Sequence, residues 1–113
     1  MSQIEQLTQE IIDFRNARDW EQFHNSKDLA VAISIEASEL LELFLWKNNE
    51  DFRIEDLKDE LADVLICSLM LAHKHQLDVS DIIRNKMEKN AKKYPVEKAK
   101  GNCKKYNELR DTP

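Results

Sequence analysis

Apolar residues recur at intervals of three and four along most of the chain, a spacing that predicts helices. Ser2 and Glu5 form a capping-box pattern, so we expect the first helix to run from about residue 3 to about Arg18. Its apolar stripe consists of Ile4, Leu7, Ile11 and Phe14. A polar connection with two aromatic side chains and a histidine follows at residues 19–26.

Two longer helices with mostly apolar bodies are predicted in the middle of the chain. The second helix is expected from a cap at residues 25–26 to about Trp46. A polar loop then leads to the third helix, from about Ile54 to about His75. Over residues 61–72 the third helix is apolar almost all round, which in so short a chain indicates a subunit interface.

A fourth helix and a basic tail complete the predicted organisation. Asp78 opens the helix as a cap, and Pro95 ends it. The apolar stripe of this helix consists of Val79, Ile82, Ile83, Met87 and Ala91. Residues 96–113 form a polar, basic tail in which Tyr106 and Leu109 are the candidate docking points. The sequence therefore predicts an all-α, four-helix fold that places all 113 residues in a single domain.

Composition and charge exclude several classes of function. A single glycine in 113 residues excludes the glycine-rich phosphate loops of Rossmann and P-loop proteins. The formal net charge of −5 argues against binding of nucleic acid polymers. Eight lysines and two glutamates between residues 86 and 105 nevertheless give a local charge of +6, which indicates either an anion-binding surface or a solvated helix end.

Cysteine usage and hydropathy indicate an intracellular protein. Cys67 lies in an apolar helical run and is expected to be a small core residue, and neither it nor Cys103 belongs to a CxxC pair. Residues 1–20 contain no apolar signal-peptide core, and the longest apolar run, residues 64–72, is too short to span a bilayer. We therefore expect a cytoplasmic protein without a membrane partner.

Two pairs of acidic residues on the middle helices give the strongest indication of chemistry. Glu36 and Glu39 lie three residues apart, as do Glu60 and Asp63, so each pair occupies one helix face. Twenty residues between the pairs allow a loop and an antiparallel return that brings them face to face. Because like charges beside apolar faces need a counter-ion, the four carboxylates predict a divalent metal site.

The predicted ligand set favours a hard metal ion. A ferritin-like di-iron site needs a Glu-x-x-His string on two helices, whereas Glu21 to His24 is the only such string and lies in the predicted connection. Carboxylates alone favour Mg²⁺, with Mn²⁺ as a substitute, and such ions commonly handle phosphates. No serine or cysteine has a plausible base beside it in the sequence, so hydrolysis by activated water is the simplest chemistry.

The connection before the second helix places Trp20 and Phe23 in a polar surrounding. A tryptophan in such a position is either a plug over the core or a surface on which a nucleobase stacks. The residues by themselves leave both interpretations open.

Taken together, the motifs resemble the MazG-like all-α nucleoside triphosphate pyrophosphatases, and in particular their dCTP pyrophosphatase branch. The resemblance rests first on the paired motif Glu36-x-x-Glu39 and Glu60-x-x-Asp63. Further matching strings, spread from the first helix to the tail, are Arg18 to His24, Leu43 to Lys47, Asp63 to Ile66, Lys86-Met87, Asn90, Tyr94 to Val96 and Cys103 to Tyr106. The resemblance implies a four-helix MazG-like bundle that assembles as a dimer or a dimer-of-dimers tetramer.

The same resemblance implies a Mg²⁺-dependent enzyme that converts a dNTP, dCTP or a related deoxynucleotide, to the dNMP and pyrophosphate. The catalytic metal ligands would be Glu36, Glu39, Glu60 and Asp63. Of these, we expect Glu39 to accept the proton of the attacking water. The nucleoside pocket would be formed by Trp20, Glu21, Gln22, Phe23, His24 and Trp46. As part of the mechanism, we also expect Lys86, Asn90 and lysines of the basic tail to meet the phosphates, which would give the uneven charge a function.

Two positions depart from the family pattern, and other functions stay open. The family's animal enzymes carry His where this chain has Ile11 and Tyr where it has Cys67. Both family residues touch substrate, so the base preference is left open. A non-catalytic helical oligomerisation module is the alternative from another functional class. A dUTPase-like all-α phosphohydrolase is the alternative with a different substrate.

Overall fold

The computed structural model describes residues 1–109, and every regular element in this range is helical. In chain order the helices are α1 (Gln3–Ala17), α2 (Ser26–Glu42), α3 (Ile54–Lys74), α4 (Val79–Lys93), α5 (Val96–Ala99) and α6 (Tyr106–Leu109). A short 3₁₀ turn, Glu21–Phe23, lies between α1 and α2. The all-α class and the four long helices predicted from the sequence are thereby confirmed. No helix of the described range is both long and apolar enough to cross a membrane.

Side-chain caps begin three of the four long helices. The Ser2 hydroxyl accepts a hydrogen bond from the Glu5 backbone N–H at 3.2 Å, and the Glu5 carboxylate accepts one from the Ser2 N–H at 3.2 Å. The Asn25 side chain accepts from the Asp28 N–H at 2.8 Å. Asp78 caps α4 in the same way. These caps satisfy backbone donors that have no partner inside the helix, which is why the sequence located the helix starts closely.

The end of α2 differs from the prediction, because the helix stops at Glu42 and not near Trp46. Beyond this point the backbone N–H groups bond three residues back, as in a 3₁₀ turn, through Leu43 to Leu40, Phe44 to Leu41 and Leu45 to Glu42. Trp46 then adopts a left-handed backbone conformation with φ of 62°, which a helix cannot continue through. Phe44 packs edge-on against Phe52 with ring centroids 5.3 Å apart. The local spacing of apolar residues does not predict this contact across the loop.

The first of two compact units, Met1–Leu77, contains α1, α2 and α3. Helices α2 and α3 pack along one another, and α1 packs on α3. The core of the unit takes one buried side chain from each helix, Ile12, Leu29 and Met70. Cys67, expected inside the core, lies half-buried at its edge.

A hydrogen bond of 2.8 Å between the Ser26 hydroxyl and His75 Nε2 joins the start of α2 to the end of α3. Because these two ends meet, α2 and α3 run in opposite directions.

The second compact unit, Asp78–Pro113, contains α4, α5 and α6. Tyr94 and Tyr106 pack edge to face with centroids 6.5 Å apart, and the Lys93 ammonium lies 4.8 Å from the Tyr106 ring centroid. Leu109 is buried, whereas no residue of α4 is. The tail therefore contains local order at both candidate docking residues. The last four residues lie outside the described range.

We expect Leu29→Ala to lower the free energy of unfolding by about 2–5 kcal/mol, because it opens a cavity between three helices. Leu41 lies on the same helix but is 70% exposed, so Leu41→Ala should cost less than about 0.5 kcal/mol. Denaturant unfolding followed by circular dichroism measures both losses. Equal losses for the two variants would contradict the assigned core.

Candidate metal site

The two predicted acidic pairs meet between α2 and α3. One carboxylate oxygen from each of the four side chains lies within 4.8 Å of the others, a set we call the carboxylate cluster: Glu36, Glu39, Glu60 and Asp63. Each pair occupies one face of its helix, and α2 and α3 pack along one another, so the two acidic faces can meet between them. Asp63 is exposed, and the other three side chains are partly buried. The cluster therefore has one side open to solvent and one side against the helices.

Two oxygens in the cluster are buried without any hydrogen-bond partner among the described residues. They are Glu36 Oε2 and Glu60 Oε2. A buried carboxylate oxygen that lacks a donor costs free energy, so such atoms usually have a protein, water or metal partner. Their positions within the cluster indicate that the missing partner is a cation.

The electrostatics of the cluster agree with this interpretation. Burial raises the pKa of Glu36, and hydrogen bonding to Glu39 and the negative charges of the other carboxylates raise it further. Burial and then the charge of Glu39 raise the pKa of Glu60 as well. Both shifts express the same fact, namely that the folded chain disfavours a second and third negative charge in this space.

No basic side chain of the described range neutralises the cluster. The ion pairs within residues 1–109 are Arg15–Glu21, Arg53–Asp56 and Lys58–Glu55, and none includes a member of the cluster. Four oxygen donors without a nitrogen or sulfur ligand fit a hard divalent cation such as Mg²⁺ or Mn²⁺. The residues present thus fit the metal that the sequence predicts.

The predicted nucleoside string occupies the 3₁₀ turn and its flanks. Trp20 is 44% exposed and lies edge-on to Phe14 at 6.0 Å, with the Arg18 guanidinium 3.5 Å from the Phe14 ring centroid. Phe23 is 61% exposed. The Gln22 amide donates to the Asp19 carbonyl at 2.9 Å and so stays within the string. Neither aromatic ring is buried as a plug over the core.

A cavity of about 320 Å³ adjoins the string and was not foreseen from the sequence. Its lining residues are Arg15, Glu21, His24, His73, Lys74 and Gln76. Arg15 is buried, donates to the Asn16 side-chain oxygen at 2.9 Å and lies 3.8 Å from a Glu21 oxygen. His24 Nδ1 is buried without a partner among the described residues. Burial, and then the charge of Arg15, lower the pKa of His24.

The other predicted binding residues lie elsewhere in the chain. Trp46 follows the end of α2 and is 94% exposed. The string Trp20 to His24 precedes the start of the same 17-residue helix, so the two aromatic elements are separated by about 25 Å of helix. Lys86 and Asn90 lie on α4 in the second unit, and both are exposed. The first unit therefore brings the four carboxylates together but keeps Trp20 and Trp46 apart.

The sequence contains a signal that places one further residue, Cys67, beside the carboxylate cluster. Cys67 follows Asp63 by four residues, which places both on one face of α3. The cavity residues Arg15 and His73 gave no comparable signal, because helices distant in sequence bring them together.

Comparisons with known proteins identify the family. A sequence model of the MazG-like family matches residues 31–109. The dCTP pyrophosphatase 1 proteins of Bos taurus and Homo sapiens are each 36% identical over 105 residues, which cover 86% of this chain and 62% of those proteins. The chain thus spans about three fifths of the length of the curated relatives it matches.

A solved structure supports the same assignment. The crystal structure of a pyrophosphatase from Archaeoglobus fulgidus aligns with a TM-score of 0.78 at 38% identity, covering 84% of this chain and 94% of that one. The family predicted from the acidic pairs is confirmed by these matches. Because the family match covers well over half of the sequence, this chain belongs to the MazG-like family.

Proposed function

We propose that the protein is a divalent-metal-dependent nucleoside triphosphate pyrophosphohydrolase that converts a dNTP to the dNMP and pyrophosphate. The observation that carries this proposal is the carboxylate cluster, with four oxygens within 4.8 Å and two of its oxygens buried without a partner. Relatives named dCTP pyrophosphatase 1 and a structural neighbour named a pyrophosphatase support the reaction class.

In this proposal the four carboxylates hold Mg²⁺, with Mn²⁺ as a substitute. When bound, such an ion supplies Lewis acidity to phosphate oxygens and to water. The protein's part is to fix four negative oxygens on two packed helices, so that little reorganisation is needed when the triphosphate arrives. Glu39 is our candidate for accepting the proton of the attacking water, because its side chain adjoins both Glu36 and Glu60.

We propose dCTP or a related deoxynucleotide as the substrate. The names of the relatives support cytosine as the base. Exposed aromatic rings at Trp20, Phe23 and Trp46 provide faces on which a base can stack. The phosphate-contacting residues we propose are Lys86 and Asn90, each a donor on an exposed helix face.

A second copy of the chain is the proposed partner. An apolar groove of about 620 Å³ lies between α1 and α3, lined by Ile4, Leu7, Glu10, Ile11, Phe14, Ala62, Leu65, Ile66 and Leu69. An exposed apolar surface of this kind marks an association site. The distance between Trp20 and Trp46 along one chain also favours this partner, since one nucleotide can meet both rings only if a second chain supplies one of them.

A panel of dNTPs with Mg²⁺ tests the reaction. We expect pyrophosphate, not orthophosphate, as the released product and dCTP among the best substrates.

Glu39→Gln and Asp63→Asn should each reduce turnover at least about 100-fold while the helical circular dichroism is retained. Glu42→Gln, on the same helix outside the cluster, is the matched control and should retain turnover.

The alternatives predict different outcomes of the same assay. Release of neither product from any nucleotide would favour a non-catalytic oligomerisation module. A strong preference for dUTP would favour a dUTPase-like enzyme. Full turnover in both cluster variants would remove the metal role of the carboxylates.

Thermal stability tests the cluster without any substrate. A carboxyl with a raised pKa in the folded state stabilises the fold below its ordinary pKa of 4.5 and opposes folding at higher pH. Metal-free Glu60→Gln should therefore melt at a higher temperature than the wild type at pH 7, and the gain should vanish near pH 4.

Mg²⁺ at 100 times its Kd should stabilise the wild type by about 2.7 kcal/mol and the variant by much less.

The control for the stability experiment is again Glu42→Gln, which should respond to Mg²⁺ as the wild type does. An equal Mg²⁺ response in Glu60→Gln would show that the ion binds elsewhere.

We expect Trp46→Ala to raise the KM for dCTP roughly 5- to 150-fold, because one base–aromatic stack contributes about 1–3 kcal/mol. Trp46→Phe keeps an aromatic face and should recover most of the loss. Steady-state kinetics measure both values, and Mg²⁺ affinity followed by thermal shift should be the same in all three proteins. A KM unchanged by Trp46→Ala would remove this ring from the substrate site.

A further inference from the structure

The cavity of about 320 Å³ beside the 3₁₀ turn is separate from the carboxylate cluster. Lys74, in the cavity wall, lies about 16 Å beyond Asp63 along the axis of α3. The two histidines of the wall do not make a metal site, because within residues 1–109 the carboxylate cluster is the one group of His, Cys, Asp and Glu atoms close enough together to hold an ion. A ligand of this cavity must therefore be recognised in another way.

Arg15 contributes a buried positive charge to the wall that its neighbours neutralise only in part. Its side chain is 8% exposed, and Nε and Nη2 both donate to the uncharged Asn16 side-chain oxygen, at 3.1 and 2.9 Å. Its one ion pair within residues 1–109 is with Glu21, at 3.8 Å, and that side chain is 72% exposed. Because a buried charge without a close partner is costly, an anion in the cavity would stabilise this guanidinium.

The other lining side chains add hydrogen-bond donors and a second positive charge. Burial and then the charge of Arg15 lower the pKa of His24, so the positive field of Arg15 extends along this wall. His24 Nδ1 is buried with no hydrogen-bond partner among residues 1–109, and such an atom usually has a water or ligand partner. Lys74 and Gln76 supply an ammonium and an amide donor.

Two features of the cavity oppose an anion, and both are weak. The Glu21 carboxylate lies mostly in water, where its charge is screened. The carbonyl groups at the end of α3 carry partial negative charge, but those of Ala72 and His73 already accept hydrogen bonds from the backbone N–H groups of residues 75–77. The two positive side chains of the wall therefore outweigh its one carboxylate.

We propose that this cavity binds a phosphate group, either free or carried by a small monoester, with Arg15 and Lys74 as the charged contacts. A phosphate monoester presents three acceptor oxygens and nearly two negative charges near pH 7. It therefore suits several donors around one cavity better than a carboxylate, which has two oxygens and a single charge. A phosphate that replaces Glu21 as the partner of Arg15 also changes a contact of the predicted nucleoside string, to which Glu21 belongs.

Calorimetric titration of the full chain with orthophosphate in metal-free Tris buffer tests the site. Without a cation the four carboxylates of the cluster repel phosphate, so saturable binding at millimolar concentration reports on the cavity. Arg15→Gln should raise the Kd at least about tenfold, because hydrogen bonds from a charged donor are lost. Lys74→Gln should raise it about three- to fivefold. Glu21→Gln removes the competing carboxylate and should lower the Kd about threefold.

Lys58→Gln is the matched control, because it removes the same charge from an exposed position on α3 outside the cavity, and it should change the Kd less than about twofold. If circular dichroism shows that Arg15→Gln does not fold, the opposite shifts expected for Lys74→Gln and Glu21→Gln test the site by themselves.

The same titration with ribose 5-phosphate, a monoester without a base, distinguishes the two sources of the phosphate group. Binding of orthophosphate that responds to these variants supports a site for the free ion, and such binding of ribose 5-phosphate alone supports a site for a monoester. No saturable binding of either compound, or Kd values equal in all the variants, would overturn the inference. None of these measurements involves turnover, so a failure of the proposed reaction leaves their outcome unchanged.

Discussion

The mutual repulsion of four carboxylates confined between two helices is the constraint on which the rest of this structure depends. Repulsion and burial both favour the protonated form of Glu36 and Glu60, and no cation of residues 1–109 is paired with them. A chain selected only for stability would replace these groups with apolar or hydrogen-bonded side chains. Retaining them makes sense when the missing positive charge arrives with a ligand, so that binding relieves a strain built into the free protein.

The packing around the cluster has to resist that repulsion. At one end of α2 and α3, Leu29 and Met70 are buried against α1, and Ser26 bonds to His75. At the other end, Phe44 packs on Phe52 across the loop. Anchored at both ends, the two helices cannot separate to relieve the charges without losing buried apolar contacts. The cluster is therefore held in register by contacts that are not part of it.

Much of this arrangement could be predicted from the sequence, because the rules that govern it are local. The capping residues located the helix starts, and the three-residue spacing within each acidic pair located the cluster. The end of α2 could not be predicted in this way, since the left-handed Trp46 and the Phe44–Phe52 contact depend on the loop's path. The cavity beside His24 could not be predicted from the sequence either, because α1 and the end of α3, which are distant in sequence, supply its walls.

Helix α3 is apolar almost all round because two of its faces carry apolar residues. The face that carries Glu60, Asp63 and Cys67 is turned toward α2 and the core, whereas Leu65, Ile66 and Leu69 line the groove beside α1. At 100° per residue the centres of these two sets lie well over 90° apart around the helix. Each set repeats at three and four residues, so two interleaved stripes leave little room for solvent-facing polar positions. Asp63, the acidic residue that interrupts this part of α3, therefore indicates a chemical role, whereas the Ser68 hydroxyl bonds to the Val64 carbonyl of its own helix. A substitution among Leu65, Ile66 and Leu69 leaves the contacts of the carboxylates in place.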